Sequence, residues 1–103
     1  EVAKSANAGN GTYCVGVDSD QWDTVPAAQK CLITSAMKLI TPGVTELIVK
    51  AKDGDFGGTT SMGKAGLAPF HDFDSKIPAD IKTKVADIVK QMEAGTLQTG
   101  VTL

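Results

Sequence analysis

Arginine is absent from this sequence. The ten basic residues are all lysine, scattered along 103 residues with a net charge of −2. A nucleic-acid-binding surface gathers its cations on one face and relies on arginine for bidentate phosphate contacts, so the composition argues against nucleic acid as a partner. No apolar run approaches the roughly 20 residues needed to cross a bilayer. The opening Glu1-Val2-Ala3-Lys4 has the features of neither a signal peptide nor a lipidation signal. Cysteine occurs only twice, at Cys14 and Cys31, without Cys-x-x-Cys or metal-ligand spacing. The pair is therefore either a disulfide or two buried thiols.

What remains, 42% hydrophobic and 21% charged residues, is the makeup of one globular domain rather than a disordered tail. A chain of this length buries about two-thirds of the surface exposed on unfolding, enough for one small core with limited reserve. The stretch Glu1 to Gly9 reads as the end of a helix with its glycine stop and no beginning, so the chain is expected to be part of a longer protein.

Tyr13-Cys14-Val15-Gly16-Val17 is a short apolar run between Gly9-Asn10-Gly11 and Asp18-Ser19-Asp20, the pattern of a buried parallel strand. Residues 31–38 are apolar but ambiguous, because Leu32, Ile33, Ala36, Met37 and Ile40 also fit one helical face. Thr41-Pro42 offers an N-cap followed by proline at the first helical position. Val44, Leu47, Ile48 and Ala51 then follow at helical spacing as far as Gly54. Two short strands, 59–62 and 66–70, are expected around Gly63-Lys64-Ala65. A last helix starts at Pro78, carries Ile81, Val85, Ile88, Val89 and Met92 on one stripe, and closes at Gly95. A short strand through Val101 is expected after it. Strands alternating with helices predict an α/β fold with a mostly parallel sheet and flanking helices.

Chemistry is concentrated directly after the first strand, in Asp18-Ser19-Asp20-Gln21. In open α/β sheets the ligand crevice lies outside the carboxyl ends of the strands, which makes Asp18 the leading ligand-binding candidate. Its two acceptor oxygens suit paired hydroxyls such as those of a ribose; the alternative role is shaping the turn. Asp20 reads as a local helix cap. Trp22, the single tryptophan, is a candidate for stacking on a base, or else packing. The run His71-Asp72-Phe73-Asp74 crowds its possible metal ligands too closely to converge on one ion and reads as a solvated loop. Asp18, Asp20 and Asp23 open like a calcium loop, but the sixth position is Asp23 instead of Gly and the twelfth is Gln29 instead of Glu. No metal site is expected.

Three strings, Val15-Gly16-Val17-Asp18-Ser19-Asp20-Gln21, then Leu32-Ile33-Thr34-Ser35-Ala36-Met37-Lys38, then Gly66-Leu67-Ala68-Pro69-Phe70, closely resemble the C-terminal segments of the basic membrane protein family. These are ABC-transporter substrate-binding lipoproteins that include purine-nucleoside receptors. The resemblance runs from about Tyr13 to Gly95. It implies that residues 1–103 are part of one Rossmann-like lobe, with hinge-crossing segments, of a type I periplasmic-binding-protein fold. It implies a nucleoside-like ligand held between two lobes, an ABC permease as partner, an extracytoplasmic location, and neither cofactor nor catalysis. It places a ribose-binding acid at Asp18 and a ligand-contacting lysine at Lys38, and it reads residues 32–38 as a strand. The apolar and small residues before Lys38 suit a long lysine stem beside a polar ligand. The extracytoplasmic setting further implies a Cys14–Cys31 disulfide.

The competing reading is an enzyme. A strand followed by Asp18-Ser19-Asp20 resembles the nucleophile motif of haloacid-dehalogenase-type phosphatases, with Thr34 and Lys38 as phosphate contacts. Against it, Trp22 stands where that motif has Thr or Val. The gap from Asp18 to Thr34 is also expected to be too short for a parallel crossover.

Overall fold

A computed structural model describes residues 1–55, 57, 58 and 60–100. The chain divides into two compact units, the first covering Glu1–His71 and the second running from Asp72 onward. No described helix is long and apolar enough to cross a membrane.

In the first unit, β1 (Cys14–Asp18) leads through a single helical turn, α1 (Gln21–Thr24), and a 3-10 turn (Pro26–Ala28) into β2 (Leu32–Lys38). Helix α2 (Ile40–Lys52) and strand β3 (Ala65–Leu67) follow. The sheet order is β1-β2-β3, with β1 parallel and β3 antiparallel to β2. The fold is thus a small mixed α/β arrangement with flanking helices, in which one of the two strand pairings is parallel. The parallel pairing also corrects the expected shortness of the crossover. Residues 19–31 suffice because the connection needs only two short helical turns.

Of the ambiguous stretch 31–38, Leu32–Lys38 is a strand, as the resemblance implied, and it is the central one. Cys31, Leu32, Thr34 and Ser35 are buried, whereas Ala36 and Lys38 at its far end are exposed. Burial of consecutive residues means that both faces of the strand are covered at its start, while its carboxyl end opens to solvent. A register shift between Cys14 and Val15 leaves Ile33 without a partner on β1. Beside this bulge a disulfide joins Cys14 to Cys31, whose Cα atoms lie 5.5 Å apart.

Two close approaches set the spacing of the strands. Gly16 is buried, and a Cβ there would overlap the Ser35 hydroxyl and stand 2.9 Å from Gln21 Cβ. On the other side, Ala68 N–H donates to Ser35 O at 2.9 Å, and Thr34 Oγ1 donates to Ala68 O at 2.7 Å. These bonds hold the segment after β3 against the buried half of β2.

Several local expectations shift. Helix α2 starts at Ile40, with Leu39 and not Thr41 at its cap. The cause is non-local: Leu39 N–H still bonds Lys64 O at 2.8 Å, so the chain turns into the helix at once after β2. Pro42 is tolerated there because first-turn N–H groups have no intrahelical acceptor. Residues 60–62 form no strand, and β3 pairs with β2; Thr59 and Val101, included in two expected strands, lie outside the described residues. At the start, only a 3-10 turn, Val2–Lys4, stands where a helix end was expected.

In the second unit, α3 (Ala79–Glu93) begins after Pro78 and ends before Gly95, which takes φ 69°. Its apolar stripe exists, yet neither α2 nor α3 contains a buried residue. Asp74 receives a bond from Lys82 Nζ at 2.7 Å, which ties the 3-10 helix His71–Lys76 to α3.

Two stability effects are expected. Gly16→Ala forces a methyl group into the Ser35–Gln21 contact and should lower the urea-unfolding free energy by about 1–3 kcal/mol; an unchanged midpoint would show that the strands separate freely. Mass spectrometry of the alkylated, unreduced protein should find no modified cysteine. Reduction should then cost on the order of 3 kcal/mol through the restored freedom of the loop, whose ends are 17 residues apart. Two alkylated thiols before reduction would contradict the bond.

Candidate functional site

Because β1 and β2 are parallel, their carboxyl ends point the same way, and Asp18 lies opposite Met37 in the register. That places Asp18 and Lys38 side by side at the open end of the sheet. Lys38 Nζ is 2.9 Å from Asp18 Oδ1, with side chains 70% and 64% exposed respectively. The hydrogen bond to Asp18, and then its charge, raise the Lys38 pKa above the ordinary lysine value. At this exposure the pair adds little to stability, and water screens it. Its value lies in placing a carboxylate and an ammonium together, both accessible to a ligand.

The backbone at Asp18 is unusual. Its φ is 75°, a left-handed conformation that costs a non-glycine residue roughly 1–3 kcal/mol unless its surroundings enforce it. Those surroundings can be named. Ser19 N–H donates to Val17 O at 3.1 Å, and Gln21 Nε2 donates to the same oxygen at 3.3 Å. Gln21 N–H donates to the buried Ser35 Oγ at 3.0 Å. The chain therefore reverses sharply after β1 and is pinned back onto β2, which leaves the Asp18 carboxylate projecting from the turn.

Asp20 caps α1 by accepting from Trp22 N–H at 3.1 Å through Oδ1. Its other oxygen is 2.8 Å from His71 Nε2. The His71 ring lies nearly flat on Trp22, with centroids 4.5 Å apart and planes 12° from parallel. Trp22, the candidate for base stacking, thus already has one face of its indole covered by His71, and Gln29 Nε2 donates to its backbone carbonyl at 2.9 Å. The expectation of a solvated loop at His71 is corrected: the side chain is only 22% exposed and joins Asp20 and Trp22 in one cluster. The sequence carried one faint signal for this, a single histidine directly after Gly66-Leu67-Ala68-Pro69-Phe70.

Thr34 is buried and its hydroxyl donates to Ala68 O. Asp20 has both carboxylate oxygens engaged, one by Trp22 N–H and one by His71 Nε2. Among the described residues, no group of three His, Cys, Asp or Glu side chains gathers as a metal site.

The raised Lys38 pKa carries a sign that can be checked. Stabilisation from the pair is fully present below the ordinary lysine pKa and is lost as pH rises through the raised value. Asp18→Asn should therefore lower the Lys38 titration midpoint, followed by NMR at its ε-methylene group; a midpoint that stays put would mean that the two groups do not meet in solution.

Comparison of the chain with protein-family models gives no match, and comparison with curated proteins gives none either.

Proposed function

We propose that this chain is part of one lobe of a two-lobed extracytoplasmic solute-binding protein, which passes a small polar ligand of nucleoside type to an ABC importer. The observation that carries this reading is the meeting of Asp18 and Lys38 at the open carboxyl end of a parallel strand pair. Ligands of α/β sheets bind at such ends. A carboxylate freed from part of its bond to lysine accepts two hydroxyls of a cis-diol, and the neighbouring ammonium donates to a ring or carbonyl acceptor. No nucleophile or cofactor is required of such a site.

Exposed apolar side chains support membership of a larger body. Val15 and Val17 on β1 and Ile40 and Ile48 on α2 are all more than half exposed, with Ile48 at 63%. Faces of this kind are ordinarily covered by further structure, here the remainder of a Rossmann-like lobe. Binding then works by closure: a ligand that touches both lobes shifts the population toward the closed form only by its greater affinity for that form, and the closed form docks on the permease.

The test is calorimetric titration of guanosine, adenosine and inosine into the intact two-lobed protein. Asp18→Ala should weaken binding by about 1.5–3 kcal/mol for each charged hydrogen bond lost, roughly a 10- to 150-fold rise in Kd. Equal affinity in the two proteins would remove Asp18 from the site. Magnesium-dependent hydrolysis of an aryl phosphate, abolished by the same substitution, would replace this reading with the phosphatase.

A further inference from the structure

The turn that presents Asp18 is held from two sides, and only one of them is the sheet. On the sheet side, Gln21 is anchored to Ser35. On the other, Asp20 is anchored to His71, 51 residues away in sequence. A carboxylate only accepts hydrogen bonds, so His71 Nε2 carries the proton and donates it to Asp20. This fixes the tautomer of the ring if it is neutral, and the bond strengthens if it is charged.

The segment that delivers His71 is itself fixed. Ala68 is buried and bonded to β2 through both its N–H and its C=O. From there the chain runs through Pro69, whose ring restricts the backbone, to His71, which takes φ 46°. Asp18 and His71 are the only described non-glycine residues with positive φ, and they stand at the two ends of this arrangement. Strained backbone persists where neighbouring contacts over-determine it, and here the contacts are the Asp20–His71 bond and the Trp22 stack. The arrangement is a strap, tied to β2 at Ala68 and to α1 at His71.

We propose that His71 is a positioning residue for the Asp18–Lys38 site: by donating to Asp20 and lying flat on Trp22, it locks the turn that aims the Asp18 carboxylate. As a binding contact Asp18 rests on the reading given under Proposed function; the locking of the turn does not. Without His71, Asp20 keeps its bond to Trp22 N–H but loses its link to the strap. Asp18 then samples more orientations, and its contact with Lys38 is made for less of the time.

The experiment reads that contact directly. In this chain, the Lys38 titration midpoint is measured by NMR for the parent, Asp18→Asn, His71→Ala and His71→Gln. The glutamine amide places a donor near the position of Nε2 without the aromatic ring. The amide signals of Leu32–Ser35 report whether the core is intact. His71→Ala should lower the Lys38 midpoint part of the way to the Asp18→Asn value and move the Ser19–Trp22 amide signals. His71→Gln should recover much of both. A Lys38 midpoint unchanged in His71→Ala, with the Leu32–Ser35 signals intact, overturns the proposal. So does a glutamine variant that recovers nothing while those signals remain those of the parent. If His71→Ala disturbs the core, His71→Gln alone decides, since a lowered midpoint with an intact core would then mean that the donor does not hold the turn. In the intact two-lobed protein, His71→Ala should raise the guanosine Kd several-fold and His71→Gln by less. Loss of affinity in Asp18→Ala without any in His71→Ala would sink the positioning role and spare the site. No loss in Asp18→Ala would sink the site, and the Lys38 titration would still decide whether His71 holds the turn.

Discussion

The contact on which the rest of the structure depends is the close approach of Gly16, Ser35 and Gln21. Ser35 is fully buried on the central strand, and its hydroxyl needs a partner there because an unsatisfied buried polar group is costly. The partner is the Gln21 N–H at the first turn of α1, which reaches Ser35 only because Gly16 has no side chain. One glycine thus sets the distance between β1 and β2, the sharpness of the reversal after β1, and the start of the crossover. The disulfide from Cys14 to Cys31 ties the same two strands at their other end. Between these two points the parallel pair has little freedom to slide, and a slip of one residue would turn each side chain to the opposite face.

A rigid base and an open end follow from the same pattern. The first half of β2 is buried, with Ala68 bonded to it through Ser35 and Thr34, whereas Ala36 and Lys38 emerge into solvent. Asp18 and Lys38 therefore stand on fixed backbone while their side chains remain exposed. For the binding role proposed above, this division matters more than it does for stability. An exposed ion pair contributes little to folding, but two opposite charges held in place cost a ligand little reorganisation. The strained φ of Asp18 belongs to the same economy: the sheet and α1 absorb it, and the carboxylate is aimed outward as a result.

The helices show the other side of that arrangement. Helices α2 and α3 have the apolar periodicity of core-facing helices, and neither buries a residue. Amphipathic helices draw most of their stability in proteins from packing that apolar stripe, and in α2 and α3 the stripe is left at least partly exposed.

Local pattern determined a good part of this protein. The apolar run closed by Asp18 and the helix from Pro78 to Gly95 could each be read from a few adjacent residues, because turn chemistry and hydrophobic period are local properties, whereas the close approach at Gly16 was visible only in the structure. The lack of long apolar runs matched the described helices, none of which is long and apolar enough to cross a membrane. Asp18 and Lys38 could be named separately, one from its place after a strand and the other from a resemblance between motifs. Only tertiary structure decided the rest. By periodicity alone residues 31–38 fit a helix as well as a strand, and pairing of Leu32–Lys38 with β1 and β3 is what makes them a strand. The distances from Lys38 to Asp18 and from His71 to Asp20 depend on which strands are neighbours and in what register. A linear pattern records the period of each element and not the identity of its neighbour, so the solitary His71 was legible as a residue while its place against Asp20 and Trp22 was not.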